Sequence, residues 1–194
     1  MQYAPSALPV PLSRLPKVGT TVFTVMSALA AQHKAINLGQ GFPDFDCDPA
    51  LLDAVNAAMR AGMNQYPPMA GLPVLRQTVA DKVKALYGAQ YNPDTEITVT
   101  AGATQGILTA IMALVHAGDE VIVLEPCYDS YQPNIELAGG VCVRVPLNPS
   151  DYSVPWDRVA ASVSAKTRLI LINSPHNPTG MVLSRDDLAA LWRI

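Results

Sequence analysis

Charge, aromatic rings and sulfur are all scarce in this sequence. Charged residues fill 15% of its 194 positions and aromatic residues 6%, and the net charge is −3. Without a surplus of lysine and arginine there is no basic surface to hold a nucleic acid backbone or an acidic membrane. The three cysteines, Cys47, Cys127 and Cys142, are odd in number and far apart. That excludes a disulfide framework and leaves no pair at metal-ligand spacing. The three histidines are equally dispersed. Scattered thiols suit a reducing compartment, so a cytoplasmic location is expected. No apolar run reaches the length of a membrane span. The opening stretch MQYAPSALPVPLSRLPKVG has no basic segment followed by an apolar one, so no secretory signal is expected. What the chain has instead is core material. Hydrophobic residues reach 49%, a globular composition that can fill one large domain or a domain and a half.

The prolines near the N-terminus predict an extended arm over residues 1–17 that lies on another surface, the alternative being a loose tail. Helical patterns follow over 20–35, 48–62 and 71–88. Thr20 or Thr21 stands near the start of the first. Asp48 caps the second, with Pro49 at its first position and Gly62 as terminator, and Gly88 ends the third. The rhythm then changes. Strand patterns over 96–102, 119–126, 141–147 and 167–175 alternate with helical ones over 103–118, 128–140, 155–165 and 184–194. The strands are almost continuously apolar, which suits a parallel sheet covered on both faces. The expected class is therefore α/β, a doubly wound, three-layer αβα arrangement with four strands. The last helix has neither cap nor exit, so the chain reads as the front part of something longer or as a truncated product.

Open α/β sheets bind ligands at the carboxyl ends of their strands, and three such ends carry distinctive residues. In TVTAGATQG, small residues and a helix start around Ala103, Thr104 and Gln105 form a cup for a phosphate, because backbone N–H groups and the helix dipole both favour an anion. A plain turn with Thr104 as N-cap is the alternative. In EPCYDSY, Tyr128 follows the strand end and could stack on a flat ligand, or simply pack; Glu125–Pro126 is a candidate cis bond. In NSPHNPTG, Asn173 and Asn177 bracket a turn, and an amide N–H can donate to a phenolic oxygen without adding charge; Asx-turn chemistry is the plainer reading. A phosphate holder, an aromatic plate and an amide donor on one sheet edge describe a site for a flat phosphorylated ring, of which pyridoxal phosphate is the obvious example.

The segments INLGQGFPDFD, NQYPPMAG, TVTAGATQG, GDEVIVLEPCYDSY and INSPHNPTG follow in this order over about residues 18–194. Together they resemble the class I and II aminotransferases of pyridoxal phosphate (PLP) fold type I, nearest to the branch containing methionine aminotransferase and kynurenine–oxoglutarate transaminase. The resemblance implies that residues 1–47 supply an arm, a helix and a substrate loop on the small-domain side, and that 48–194 form the first part of the PLP-binding large domain. It implies that Ala103, Thr104 and Gln105 hold the cofactor phosphate, that Tyr128 stacks on the ring, and that Asn177 donates to the ring oxygen. It puts Gly41 and Asn177 on the substrate side, Gly41 through its backbone N–H to the α-carboxylate. Asn173 would support the loop. Tyr66 would reach the phosphate in the neighbouring subunit, so a homodimer is expected. The substrates would be an amino acid of the methionine, glutamine or aromatic type and a 2-oxo acid.

The same resemblance implies three groups not matched here: a lysine that binds the cofactor covalently, an aspartate facing the ring nitrogen and an arginine for the substrate carboxylate. All three are expected beyond Ile194. Lys17, Lys34, Lys82, Lys84 and Lys166 match none of the family's catalytic contexts, so no catalytic residue is expected within these 194 residues. A β-C–S lyase on the same fold and a truncated, non-catalytic fragment are the alternatives. A nucleotide-binding Rossmann domain is disfavoured, since no G-x-G-x-x-G opens the first strand–helix turn.

Overall fold

Local capping chemistry sets the helix boundaries. The computed structural model describes residues 12–16, 18–41, 43 and 45–194, in two compact units: residues 19–100, and residues up to 18 together with 101–194. In the first unit, helix α1 spans Val22–His33, and the Thr21 hydroxyl accepts from Thr24 N–H at 3.3 Å. Helix α2, Pro49–Arg60, starts where Asp48 Oδ1 accepts from Ala50 N–H at 2.8 Å. Helix α3, Pro73–Tyr87, stops at Gly88, whose φ of 71° lies in the left-handed region that glycine enters without strain.

Residues 96–102 do not form the expected strand. Three strands form among the described residues, not four. The stretch is β-branched, but a strand exists only where a neighbour completes its ladder. Here Val99 N–H donates to Ala70 C=O at 2.9 Å, a loop bond, and no strand pairs with the segment.

In the second unit, strands β1 (Glu120–Glu125), β2 (Val141–Pro146) and β3 (Thr167–Leu171) form a parallel sheet in the order β2-β1-β3. Central β1 buries Val121, Ile122, Val123 and Leu124. Strand alternation sends these to opposite faces. Val121 and Val123 pack with Ile111 and Val115 of helix α4 (Gly102–Leu114) and its end, and with Tyr131 and Ile135 of helix α5 (Tyr131–Leu137). Ile122 and Leu124 pack with Val145, Leu147, Val154, Leu183 and Val159, the last from helix α6 (Trp156–Ala161). Each fully buried side chain of this size stabilises the fold by about 1.5–3 kcal/mol. Helix α7, Arg185–Arg193, carries a complete capping box between Ser184 and Asp187, and Trp156 Nε1–H donates to Asp187 Oδ1 at 2.8 Å.

The chain steps from β1 outward to β2 through α5 on one face, then returns across to β3 through α6 on the other. The strand order reverses between β1 and β3, and a crevice opens at the carboxyl ends of strands at such a switch point. Most of the arm expected over 1–17 lies outside the described residues; within them, Arg14 Nη2–H donates to Leu137 C=O at 2.9 Å.

Candidate functional site

Two of the three sequence-predicted strand ends, those after β1 and β3, flank the switch point. β1 runs into Pro126, Cys127 and Tyr128, with a cis bond at Glu125–Pro126, and β3 runs into the loop carrying Asn173 and Asn177. The start of α4 joins them through Tyr128, because Thr104 Oγ1 lies 3.2 Å from the Tyr128 hydroxyl.

Gly102, with φ 73°, starts α4, and a side chain there would point into open space. Ala101 rather than Thr104 is the N-cap, and its own side chain makes no capping bond. Thr104 is therefore not the capping residue that the plain-turn alternative required. Ala103, Thr104 and Gln105 are exposed in the first turn, where the leading backbone N–H groups, those of Ala103 and Thr104 among them, have no partner within the helix. The Gln105 side chain folds back, and its Oε1 accepts from Ala101 N–H. The N–H groups of a helix start, a hydroxyl and an aromatic ring thus meet at one point, the donor set an anionic group on a flat ring requires.

Tyr128 is held from behind. Its ring meets Tyr131 edge-on, centroids 5.7 Å apart and planes at 86°, a favourable aromatic geometry. Tyr131 is buried. Burial pushes the Tyr131 phenol above its usual pKa, with Cys127 and Tyr128 adding to the shift and Asn173 opposing it. Asn177, by contrast, is exposed and makes no side-chain hydrogen bond among the described residues, so its amide is available to a ligand. The His176 ring beside it is buried.

Tyr66 and Gly41 belong to the other unit. Tyr66 is 99% exposed. Its loop ends at Gly71, whose carbonyl accepts from Arg76 Nε–H at 3.2 Å, and buried Arg76 also pairs with Asp94 at 3.2 Å. Gly41 is exposed with nothing near its Cα. Tyr131, His176 and Arg76 were not singled out from the sequence. Each is a polar side chain made important by burial, and only a polar residue set among apolar ones hints at that.

Residues 33–194 match the family described as aminotransferase class I and II. The chain belongs to this family. It is 51% identical to methionine aminotransferase of Escherichia coli over 184 residues, which cover 95% of the chain and 48% of that relative. It is 47% identical to a probable N-succinyldiaminopimelate aminotransferase of Mycobacterium tuberculosis, covering 94% of the chain and 47% of the relative. Among solved structures, an E. coli protein with methionine aminotransferase function superposes with a TM-score of 0.92 at 50% identity, covering 96% of this chain and 49% of that one. The chain thus spans about half the length of these relatives. Class I and II aminotransferases depend on pyridoxal phosphate, and the helix start beside Tyr128 fits that cofactor's phosphate and ring. The fold is the PLP fold type I, seen over its N-terminal part.

Proposed function

We propose that the complete protein is a PLP-dependent aminotransferase that moves an amino group from an amino acid of the methionine, glutamine or aromatic type to a 2-oxo acid. Family membership supports this reading. The observation that carries it is the meeting of Thr104 and Tyr128 hydroxyls, 3.2 Å apart, at the start of α4.

Backbone N–H groups of Ala103, Thr104 and Gln105 bind the phosphate with the help of the helix dipole. Tyr128 lies against one face of the ring and fixes its plane. Asn177 donates an uncharged N–H to the ring oxygen and, with the Gly41 N–H, faces the substrate. When bound, the cofactor supplies an electron-withdrawing ring that stabilises negative charge at the substrate α-carbon. Tyr66 reaches the phosphate of a second subunit, so the working unit is a homodimer. Residues 1–47 go with the small-domain side and 48–194 with the large domain. The catalytic lysine, the ring-facing aspartate and the carboxylate-binding arginine lie outside these 194 residues, and the cytoplasm is the compartment that suits three free cysteines.

Titrating PLP into the complete, cofactor-free protein and assaying methionine with a panel of 2-oxo acids tests the reading. Bound PLP and amino transfer are expected. A folded protein that neither retains PLP nor transfers an amino group would reject it.

A further inference from the structure

Asn177 is exposed, yet the residue before it is 4% exposed. His176 is one of two buried polar or charged residues among those described. Its Nδ1 lies 2.8 Å from Thr179 Oγ1, and Thr179 Oγ1 in turn accepts from Met181 N–H at 3.3 Å. Hydrogen bonds therefore link His176 through Thr179 to Met181, whose side chain packs against the core cluster that holds Ile122 and Leu124 of β1. Two backbone bonds brace the same residue: His176 N–H to Met181 C=O and Gly180 N–H to His176 C=O, both 2.7 Å.

We propose that His176 is a positioning residue that closes the loop after β3 onto Thr179 and the core-packed Met181 and so presents the free amide of Asn177 in a single orientation. This rests on the proposed contact between Asn177 and the cofactor ring. His176 itself lies beneath the loop and touches no ligand. Burial favours the neutral form of the ring.

The test compares His176→Phe, His176→Gln, Thr179→Val and Asn177→Ala in the complete protein. Three readouts are taken: deuterium uptake across residues 172–182 in the cofactor-free state, PLP affinity, and the pH titration of the bound cofactor's absorbance. His176→Phe is expected to raise uptake in the loop, weaken PLP about tenfold, and shift the titration in the same direction as Asn177→Ala. Adding Asn177→Ala to it should change little more. His176→Gln, whose amide can bond the Thr179 hydroxyl, should recover most of the loss. Should His176→Phe not fold, Thr179→Val carries the same expectation at smaller size. The proposal is overturned if the titration and loop protection of the His176 and Thr179 variants match the parent while Asn177→Ala shifts the titration. If Asn177→Ala itself shifts nothing, the cofactor contact of Asn177 is refuted and the proposal falls with it; altered loop protection in His176→Phe would then mark a purely structural histidine.

Discussion

The paired hydroxyls of Thr104 and Tyr128 allow the candidate site to be tested by deletion of single atoms. Thr104→Val is nearly isosteric and similar in helix propensity. Thr104 is exposed, so unfolding of the cofactor-free protein should change by no more than about 0.5 kcal/mol. If the hydroxyl serves a phosphate oxygen, its loss removes a hydrogen bond to a charged group worth about 1.5–3 kcal/mol. That is about 10- to 150-fold in PLP affinity. Tyr128→Phe keeps the ring and its edge contact with Tyr131 at 5.7 Å and deletes only the other half of the pair. A neutral hydrogen bond is worth about 0.5–1.5 kcal/mol, so its effect on affinity should be the smaller. Because the two oxygens are 3.2 Å apart, the double variant should fall short of the sum by about 0.5 kcal/mol or more. PLP binding by equilibrium dialysis, with thermal unfolding measured alongside, supplies all four corners of the cycle. An unchanged PLP affinity in Thr104→Val would refute the phosphate cup and leave α4 starting in an ordinary strand–helix turn. Full additivity would show that the two hydroxyls do not act on one ligand.

Three further outcomes are expected. Mixing a complete Tyr66→Phe protein with one lacking the catalytic lysine should give hybrids whose activity neither parent mixture explains; strict proportionality to the parents would remove Tyr66 from a shared site. Residues 1–194 expressed alone with PLP should show no sustained transfer from methionine and no stoichiometric borohydride trapping at a lysine; either result in the positive would place the catalytic lysine within the chain. Burial lowers the His176 pKa in the fold, so the unfolded chain takes up this proton first as pH drops; the stability it governs is complete above about pH 6.5 and declines below it. His176→Gln should flatten the slope of unfolding free energy over pH 5–7, and an unaltered slope would show that the imidazole does not titrate differently in the two states.

The helix starts were legible because capping is local. Thr21, Asp48 with Pro49, and Ser184 each bond an N–H two or three residues away, so the sequence neighbourhood contains the whole interaction. Residues 96–102 misled for the opposite reason: Ile97 and Val99 favour a strand, but a ladder depends on a partner that no local pattern specifies. The same divide runs through the site. Thr104, Tyr128 and Asn177 could be found because each sits at a strand end or helix start, where chemistry concentrates. Tyr131 and His176 could not, because what makes them matter is burial, Tyr131 against Val121 and Val123 of β1 and His176 within its own loop, and no local pattern specifies either.

NSPHNPTG contains far more polar groups than a turn requires, and the structure shows how they divide. Ser174 Oγ accepts from Leu183 N–H at 3.0 Å. Thr179 serves both His176 and Met181. These three side chains are committed to holding the loop, whereas the exposed Asn177 makes no side-chain bond among the described residues. An amide tethered only through its own flexible backbone would lose conformational entropy each time it met a ligand. With the loop bonded to Leu183 and to itself, most of that ordering is complete before any ligand arrives. The loop's polarity is therefore structural at Ser174, His176 and Thr179 so that it can be functional at Asn177.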